Sequence, residues 1–545
     1  MRQFKKIISW IFILLIAYQY FLSSCAQVKA PPGGDKDTLS PQIVRSFPLN
    51  QSLNFKEKRI ELEFDEYIKT TNLRTELLVT PSIGFYETKI KPKSVTLLLD
   101  SALKDNTTYT FNFREGIEDA TERNKGLNIK LVFSTSDQID SLSIKGQVKD
   151  LFSNEEIEKA LVGLYPWSDS LRIDQVKPYY FTQTDTSGFF NLENLAWGKY
   201  YLAAFTDKNA NLIFNPNEEK IDFITDQYIE LDTNERYFHF QLAPSNLDSI
   251  RLGKTSVNAK TIQFDFRKPF KEYQILNIDS LKLPFQNIKN QSLIFYNNRS
   301  ISGDTLDLSL RLTDSLDRDS TYSLQVYFRE SIEKKEREKG SFNFIRKSNG
   351  RSRLDPNDSL ILEFKMPIAK INSDSIWFYE DSTNFKVYPI EKYRINYDKT
   401  TITIPSELLP KKHSFWIDFK SNAFINIDQD TSSRGIMKLE YEDPDIYGII
   451  RGRIGRPNEN VQYIVQLNSD KNGRIEYQQR INREFNFINI VPNLYKIRVI
   501  EDKNKNGYWD QGNYLKKIKP EKVFFYEGEI KLKSYFEITD ILINN

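Results

Sequence analysis

Cysteine is all but missing from this chain: of 545 residues, only Cys25 is one. With a single thiol there is no internal disulfide and no Cys-ligated metal site, and once that thiol is acylated there is no Cys nucleophile. Histidine is nearly as scarce. His239 and His413 fall in separate strand-like stretches, "RYFHFQL" and "PKKHSFW". A Ser-His-Asp arrangement would have to use one of them, and neither is accompanied by a GxSxG elbow. No Walker sequence and no dinucleotide-type glycine pattern occurs. Charge of one sign is lacking too: 76 Lys and Arg against 74 Asp and Glu leave +2, which is not the footprint of a nucleic-acid binder. Paired carboxylates suffice for glycoside hydrolysis, but Asp65 and Glu66 in "FDE" read as neighbours on one strand and so point to opposite faces. The sequence therefore assigns no catalytic residue, and a hydrolase ranks last among the readings.

Long apolar runs are absent apart from "IISWIFILLIA" near the N-terminus, which is short of the roughly 20 residues needed to span a bilayer. Arg2, Lys5 and Lys6 precede it, Gln19 interrupts its end and "LSSC" closes it at Cys25. This is the pattern of a secretory signal peptide with a lipobox, residues 1–24, cleaved before an acylated Cys25. Residues 25–40, "CAQVKAPPGGDKDTLS", carry Pro, Gly and charge without an apolar period and read as a flexible tether. Acyl chains such as palmitate anchor by burying methylenes, and two or more make the anchor stable. The membrane is thus one partner. The expected address is the outer membrane of a cell envelope. No acidic export patch follows Ala26 and Gln27, which places the periplasmic face ahead of the cell surface.

From residue 41 onward, short alternating apolar segments are separated by Asn, Asp, Gly, Ser and Pro clusters, and no long stretch keeps a helical period. The chain reads as all-β. Internal repeats sharpen this. "RIELEFDEYI", "TIQFDFRKPF" and "LILEFKMPI" share one pattern, and each is followed by a second strand pair. In those pairs Leu103 precedes Tyr109, Leu316 precedes Tyr322 and Leu409 precedes Phe415 by the same interval. Tyr109 and Tyr322 stand where the corner tyrosine of an Ig-like sandwich ties a connection to the backbone; Phe415 lacks the hydroxyl. A different pair of segments aligns without gaps from Phe190 and Phe485, matching Leu192 to Phe487, Leu195 to Ile490, Tyr200 to Tyr495 and Asp207 to Asp502. The expected order is an Ig-like sandwich at 41–138, a second type at 142–245, Ig-like sandwiches at 248–348 and 352–444, and the second type again at 446–545.

The lipobox "LSSC", the stretch "PPGGDKDTLSPQIVRSFPLNQSLNF", "IELEFDEYI" and "LKDNTTYTFNF" leading to "FREGIED" together resemble Bacteroidetes-type lipoproteins that carry an S-layer-type bacterial Ig-like domain. Leu195, Gly198 and Tyr200 make residues 142–245 similar to carboxypeptidase-regulatory or collagen-adhesin B-type β-sandwiches, and Asn493 replaces the glycine in the second copy. The resemblance implies tandem Ig-like and B-type sandwiches behind a lipoprotein signal, and a non-catalytic envelope role. That role is structural or adhesive. The alternative is a subunit that binds glycans or other envelope proteins.

One feature invites a metal. In "DKNANLIFNPNE", Asp207, Asn209, Asn211, Asn215 and Glu218 fall at positions 1, 3, 5, 9 and 12 of a calcium loop. In "DKNKNGYWD", Asp502, Asn504, Asn506 and Asp510 repeat the first four. Leu212 occupies the position where such loops take Gly, Gly507 satisfies it, and Asn513 stands where the twelfth ligand would be. Few carboxylates per loop imply weak, extracellular-range affinity. The alternative is that Asp and Asn simply close side-chain to backbone turns. Calcium is the one cofactor the sequence suggests. Of the tryptophans beyond the signal, Trp197 and Trp509 border these loops and are expected to cover them.

Overall fold

The computed structural model describes Trp10 and residues 36–544, except 233–235, 278–282, 289, 298–304, 330–340, 348–352, 356–357, 381–383, 397–398 and 472. Cys25, the signal stretch other than Trp10 and the tether through residue 35 lie outside the described residues. Among the described residues no helix is long and apolar enough to cross a membrane. The protein is all-β, built of tandem β-sandwiches, and it divides into two compact units, Met1–Ile139 and Asp140–Asn545.

In the first unit, alternation turns Ile60, Leu62 and Phe64 of strand Arg59–Phe64 inward. That strand is paired on one side with Ile43–Phe47 and on the other with Ser94–Leu99. A second sheet of Leu78–Thr80, Thr108–Asn112 and Lys130–Ser134 packs against the first, and Val95, Leu97, Tyr109, Phe111 and Phe133 fill the core. The Tyr109 hydroxyl accepts the Lys104 N–H at 2.9 Å, and Tyr322 donates to the Ile250 carbonyl. Phe415 instead packs on Tyr441 with ring centroids 5.2 Å apart. Asp65 and Glu66 are not strand residues as read from the sequence. The strand ends at Phe64, and Asp65 accepts the Gln42 N–H at 2.9 Å, so this pair forms a bend.

In the second unit, two sandwiches repeat one topology. Leu142–Asp150 pairs in parallel with Arg236–Pro244 and antiparallel with Phe189–Leu195. Gly448–Ile454 pairs in parallel with Glu537–Ile543 and antiparallel with Glu484–Ile490. The facing sheets are built on Gly198–Thr206 beside Ala160–Pro166, and on Leu494–Asp502 beside Gln462–Ser469. A tyrosine pair repeats as well. Tyr200 donates to the Ala196 carbonyl at 3.2 Å while Tyr180 accepts the Ala196 N–H at 3.4 Å. Tyr495 and Tyr477 hold Val491 in the same way, at 2.8 and 3.1 Å.

Between these twins lie two further sets of sheets, with cores running from Ile250 to Val326 and from Leu354 to Tyr441. Residues 341–347, assigned by the sequence to the earlier set, pair with the later one: Ser341 opposes Thr431 and Ile345 opposes Glu363. The cause is aromatic packing, since Phe344 lies 4.9 Å from Phe419 and 5.1 Å from Phe424.

The chain then folds back on itself. Leu151 and Ala243 of the first twin meet Ile464, Ile500 and Val523 of the last in one buried cluster. Around it, the Arg498 guanidinium donates to the Phe152 carbonyl at 3.0 Å, and Asn246 and Gln511 exchange two hydrogen bonds at 2.9 and 2.8 Å. Lys519 forms an ion pair with the buried Asp222. Strand Gln462–Ser469 is consequently buried on both faces, which an isolated sandwich with one solvated face would not be.

Candidate functional site

Each acidic loop begins where a core strand ends, Asp207 following Gly198–Thr206 and Asp502 closing Leu494–Asp502. The two loops then fold alike, bond for bond. Asp207 accepts the N–H groups of Asn211 and Leu212 at 3.1 and 3.0 Å, and Asp502 those of Asn506 and Gly507 at 3.0 and 2.7 Å. Asn209 and Asn504 accept the Asn211 and Asn506 N–H groups, and Asn211 and Asn506 accept those of Ile213 and Tyr508. Ala210 and Leu212, like Lys505 and Gly507, have positive φ. Leu212 thus takes the left-handed conformation that Gly507 adopts without a steric penalty.

A carboxylate that sequence reasoning missed completes each loop. Glu219 accepts the Lys208 and Asn215 N–H groups at 2.9 and 2.8 Å, and Glu521 accepts those of Lys503 and Asp510 at 2.7 and 3.0 Å. Both glutamates are buried. Glu218, placed at the twelfth position by counting, is exposed, and its carbonyl accepts Lys208 Nζ at 2.5 Å. Asn513 instead caps the short turn Tyr514–Lys516. The signal that would have found the missing pair is the recurrence of "EKIDF" at Glu219 and "EKVFF" at Glu521, past an insertion that ends the gap-free alignment.

The loops differ electrostatically. Burial, together with the charges of Asp510 and Asp502, pushes the Glu521 carboxyl up to about 7, against the pull of two backbone donors. Asp510 also accepts the side-chain amides of Asn504 and Asn506 at 2.6 and 2.8 Å. In the first loop Asn215 is neutral at that position and donates to the Ile213 carbonyl at 3.0 Å. The donors are all oxygen, the kind that hard cations take. Yet the carboxylates already accept backbone N–H groups, and among the described residues no group of three or more His, Cys, Asp or Glu is placed to hold a metal ion.

The tryptophans divide. Trp509 does cover its loop, donating to the Glu521 carbonyl at 3.0 Å and packing edge-on against Phe152 at 4.8 Å. Trp197, expected to do the same, is 69% exposed, because the turn before Gly198 is held by Tyr180 and Tyr200 without it. Trp377 has Phe385 stacked on its ring at 4.1 Å and Lys420 Nζ over it at 4.0 Å, so its faces are taken. His239 and His413 are both exposed, the first against the Tyr237 ring at 4.8 Å, and they stand on different sandwiches.

Fold and sheet pairing define an all-β protein of tandem sandwiches, and residues 37–135 match the model of the bacterial Ig-like domain. No curated protein matches the chain. Among solved structures, BcpA, the major pilin subunit of Bacillus cereus, is similar at 11% identity over 74% of this chain and 99% of its own, with a TM-score of 0.15. The S-layer protein rSbsC(31-844) is similar at 11% identity over 91% of this chain and 68% of its own, TM-score 0.14. A DUF3823 family protein from Bacteroides uniformis ATCC 8492 is 12% identical over 55% of this chain and 100% of its own, TM-score 0.12. Scores this low carry no argument, and the architecture rests on the strand pairing above.

Proposed function

We propose that this protein is a non-catalytic lipoprotein of the cell envelope, anchored in the outer membrane by acyl chains on Cys25, whose sandwiches brace or present one another. Its role is structural or adhesive. The observation that carries this reading is where the polar groups of the twin junction go. Buried Asp222 with Lys519, and the half-buried Arg498 and Gln511, join one sandwich to another, whereas a catalytic centre would converge such groups on a cleft. Replacing Cys25 by Ser is expected to move the full-length protein from the membrane fraction to the soluble one. Unchanged fractionation would remove the lipid anchor from the reading. A pulldown from envelope extracts separates a self-contained brace, which returns no constant partner, from a subunit of an envelope complex.

Calcium enters as reinforcement of the Asp502 loop. The supporting observation is that one loop gathers three carboxylates, Asp502, Asp510 and Glu521, with Glu521 raised first by its burial and further by the charges of the two aspartates. A divalent ion bound only by the folded state raises its melting midpoint. The soluble mature chain is therefore expected to melt higher in millimolar calcium, with Asp502→Asn and Glu521→Gln each removing the increment. An unchanged midpoint reduces both loops to hydrogen-bonded turns.

A further inference from the structure

A cavity of about 280 Å³ opens where the first twin sandwich meets the last. Trp167, Asp169, Arg172 and Gln227 line it from one side, Tyr514 and Lys517 from the other. Its cations are already compensated or held. Arg172 makes a bidentate pair with Asp174 at 2.9 and 2.6 Å, and Lys517 Nζ donates to the Gln227 carbonyl at 3.1 Å while lying 5.0 Å from the Tyr201 ring centroid. Trp167 leans on Tyr228 at 5.3 Å with the rings tilted by 58°. The Tyr514 side chain is only 6% exposed, and its hydroxyl lies buried beside the Asp174–Arg172 pair.

The lining selects the ligand class. A free anion finds little available positive charge, because Asp174 compensates Arg172 and Lys517 Nζ is turned to the Asp226 and Gln227 carbonyls and the Tyr201 ring. A purely apolar molecule would strip water from Asp169, Gln227 and the Ser168 and Ser170 hydroxyls without replacing it. A polyhydroxylated ring meets both demands. Its hydroxyls donate and accept at once, and its axial C–H face packs on an aromatic ring. The volume lies just below the roughly 300 to 1,000 Å³ of ordinary ligand pockets, which suits one sugar residue. We propose that this cavity binds a hexopyranose residue of a glycan, with Trp167 as the stacking surface and Asp169, Gln227 and the Ser168 and Ser170 hydroxyls as its hydrogen-bonding groups.

The test is saturation-transfer NMR and calorimetric titration of the soluble mature chain with the methyl glycosides of glucose, galactose, mannose and N-acetylglucosamine. At least one is expected to bind with millimolar affinity. Trp167→Ala should weaken that binding about tenfold, a stacking loss of some 1.4 kcal/mol. Asp169→Ala, which removes an exposed carboxylate of the lining, should weaken it about threefold. Gln227→Ala changes an exposed side chain and should weaken it without altering the melting midpoint. Failure of all four glycosides to bind, or binding that survives all three substitutions unchanged, overturns the proposal. Neither result touches the membrane fractionation or the calcium melt, so the envelope reading stands or falls separately.

Discussion

Glu521 is the residue whose chemistry differs most from what its surroundings in sequence suggest. Its folded pKa is raised from 4.5 to about 7, so between those values the folded chain keeps a proton that the unfolded chain has lost. Stability therefore falls as pH rises through this window, by up to about 3 kcal/mol, and the full penalty is present above it. Melting midpoints of the calcium-free protein should decline across that range, and Glu521→Gln should flatten the decline. A profile identical in wild type and variant would show that the carboxyl is not held in this state. Gly507 yields a second prediction. It has φ 83°, and a Cβ there would meet Arg480 Nη2 at 1.5 Å. Gly507→Ala should cost about 1 to 2 kcal/mol in chemical denaturation. Asp207 and Asp502 were legible in the sequence because a strand period delivers them to loop starts. Glu219 and Glu521 were not, because an insertion of unequal length precedes each and counting along one loop cannot cross it.

At the scale of elements, the alternation of apolar residues announced the strands of the repeated segments, such as Arg59–Phe64 and Gly198–Thr206, but not what would cover an outer face. Gln462–Ser469 carries Gln466 and Asn468 on the face that a lone sandwich would leave in water, and both are buried. Gln466 is satisfied there by Arg498 and Gln478 at 2.8 and 2.7 Å. The corner tyrosines were legible from spacing, since Tyr109 and Tyr322 do tie backbone. The second tyrosine system, Tyr180 with Tyr200 and Tyr477 with Tyr495, joins strands far apart in the chain and emerged only with the fold. Removing one hydroxyl should cost about 1 kcal/mol. Tyr495→Phe is expected to lower the denaturation midpoint by that amount, and Tyr200→Phe by less, its bond being longer at 3.2 Å. Equal midpoints in wild type and both variants would mean the hydroxyls do not restrain the turns.

For the second unit as a whole, the decisive contact joins segments some 350 residues apart, as in the bond from Arg498 to Phe152. Ile500 is 3% exposed in the cluster shared by the twins. Ile500→Asp places an unpaired charge there, and the last sandwich is expected to melt separately from the first, giving two calorimetric transitions in place of a shared one. A single transition at the wild-type temperature would show that the twins do not depend on this cluster. Lys519→Ala should act in the same direction but more weakly, because the lysine is 41% exposed even though Asp222 is buried and its carboxyl is pushed up by that burial.

The sequence by itself determined the all-β class, the duplicated modules and the starts of the acidic loops, because period, turn residues and repeats are local properties that each segment carries alone. Tertiary structure decided which faces of those modules meet, where strand 341–347 pairs, which glutamates enter the loops and that a cavity forms at the twin junction. Those outcomes depend on side chains hundreds of residues apart burying the same surface, and no local pattern encodes that choice.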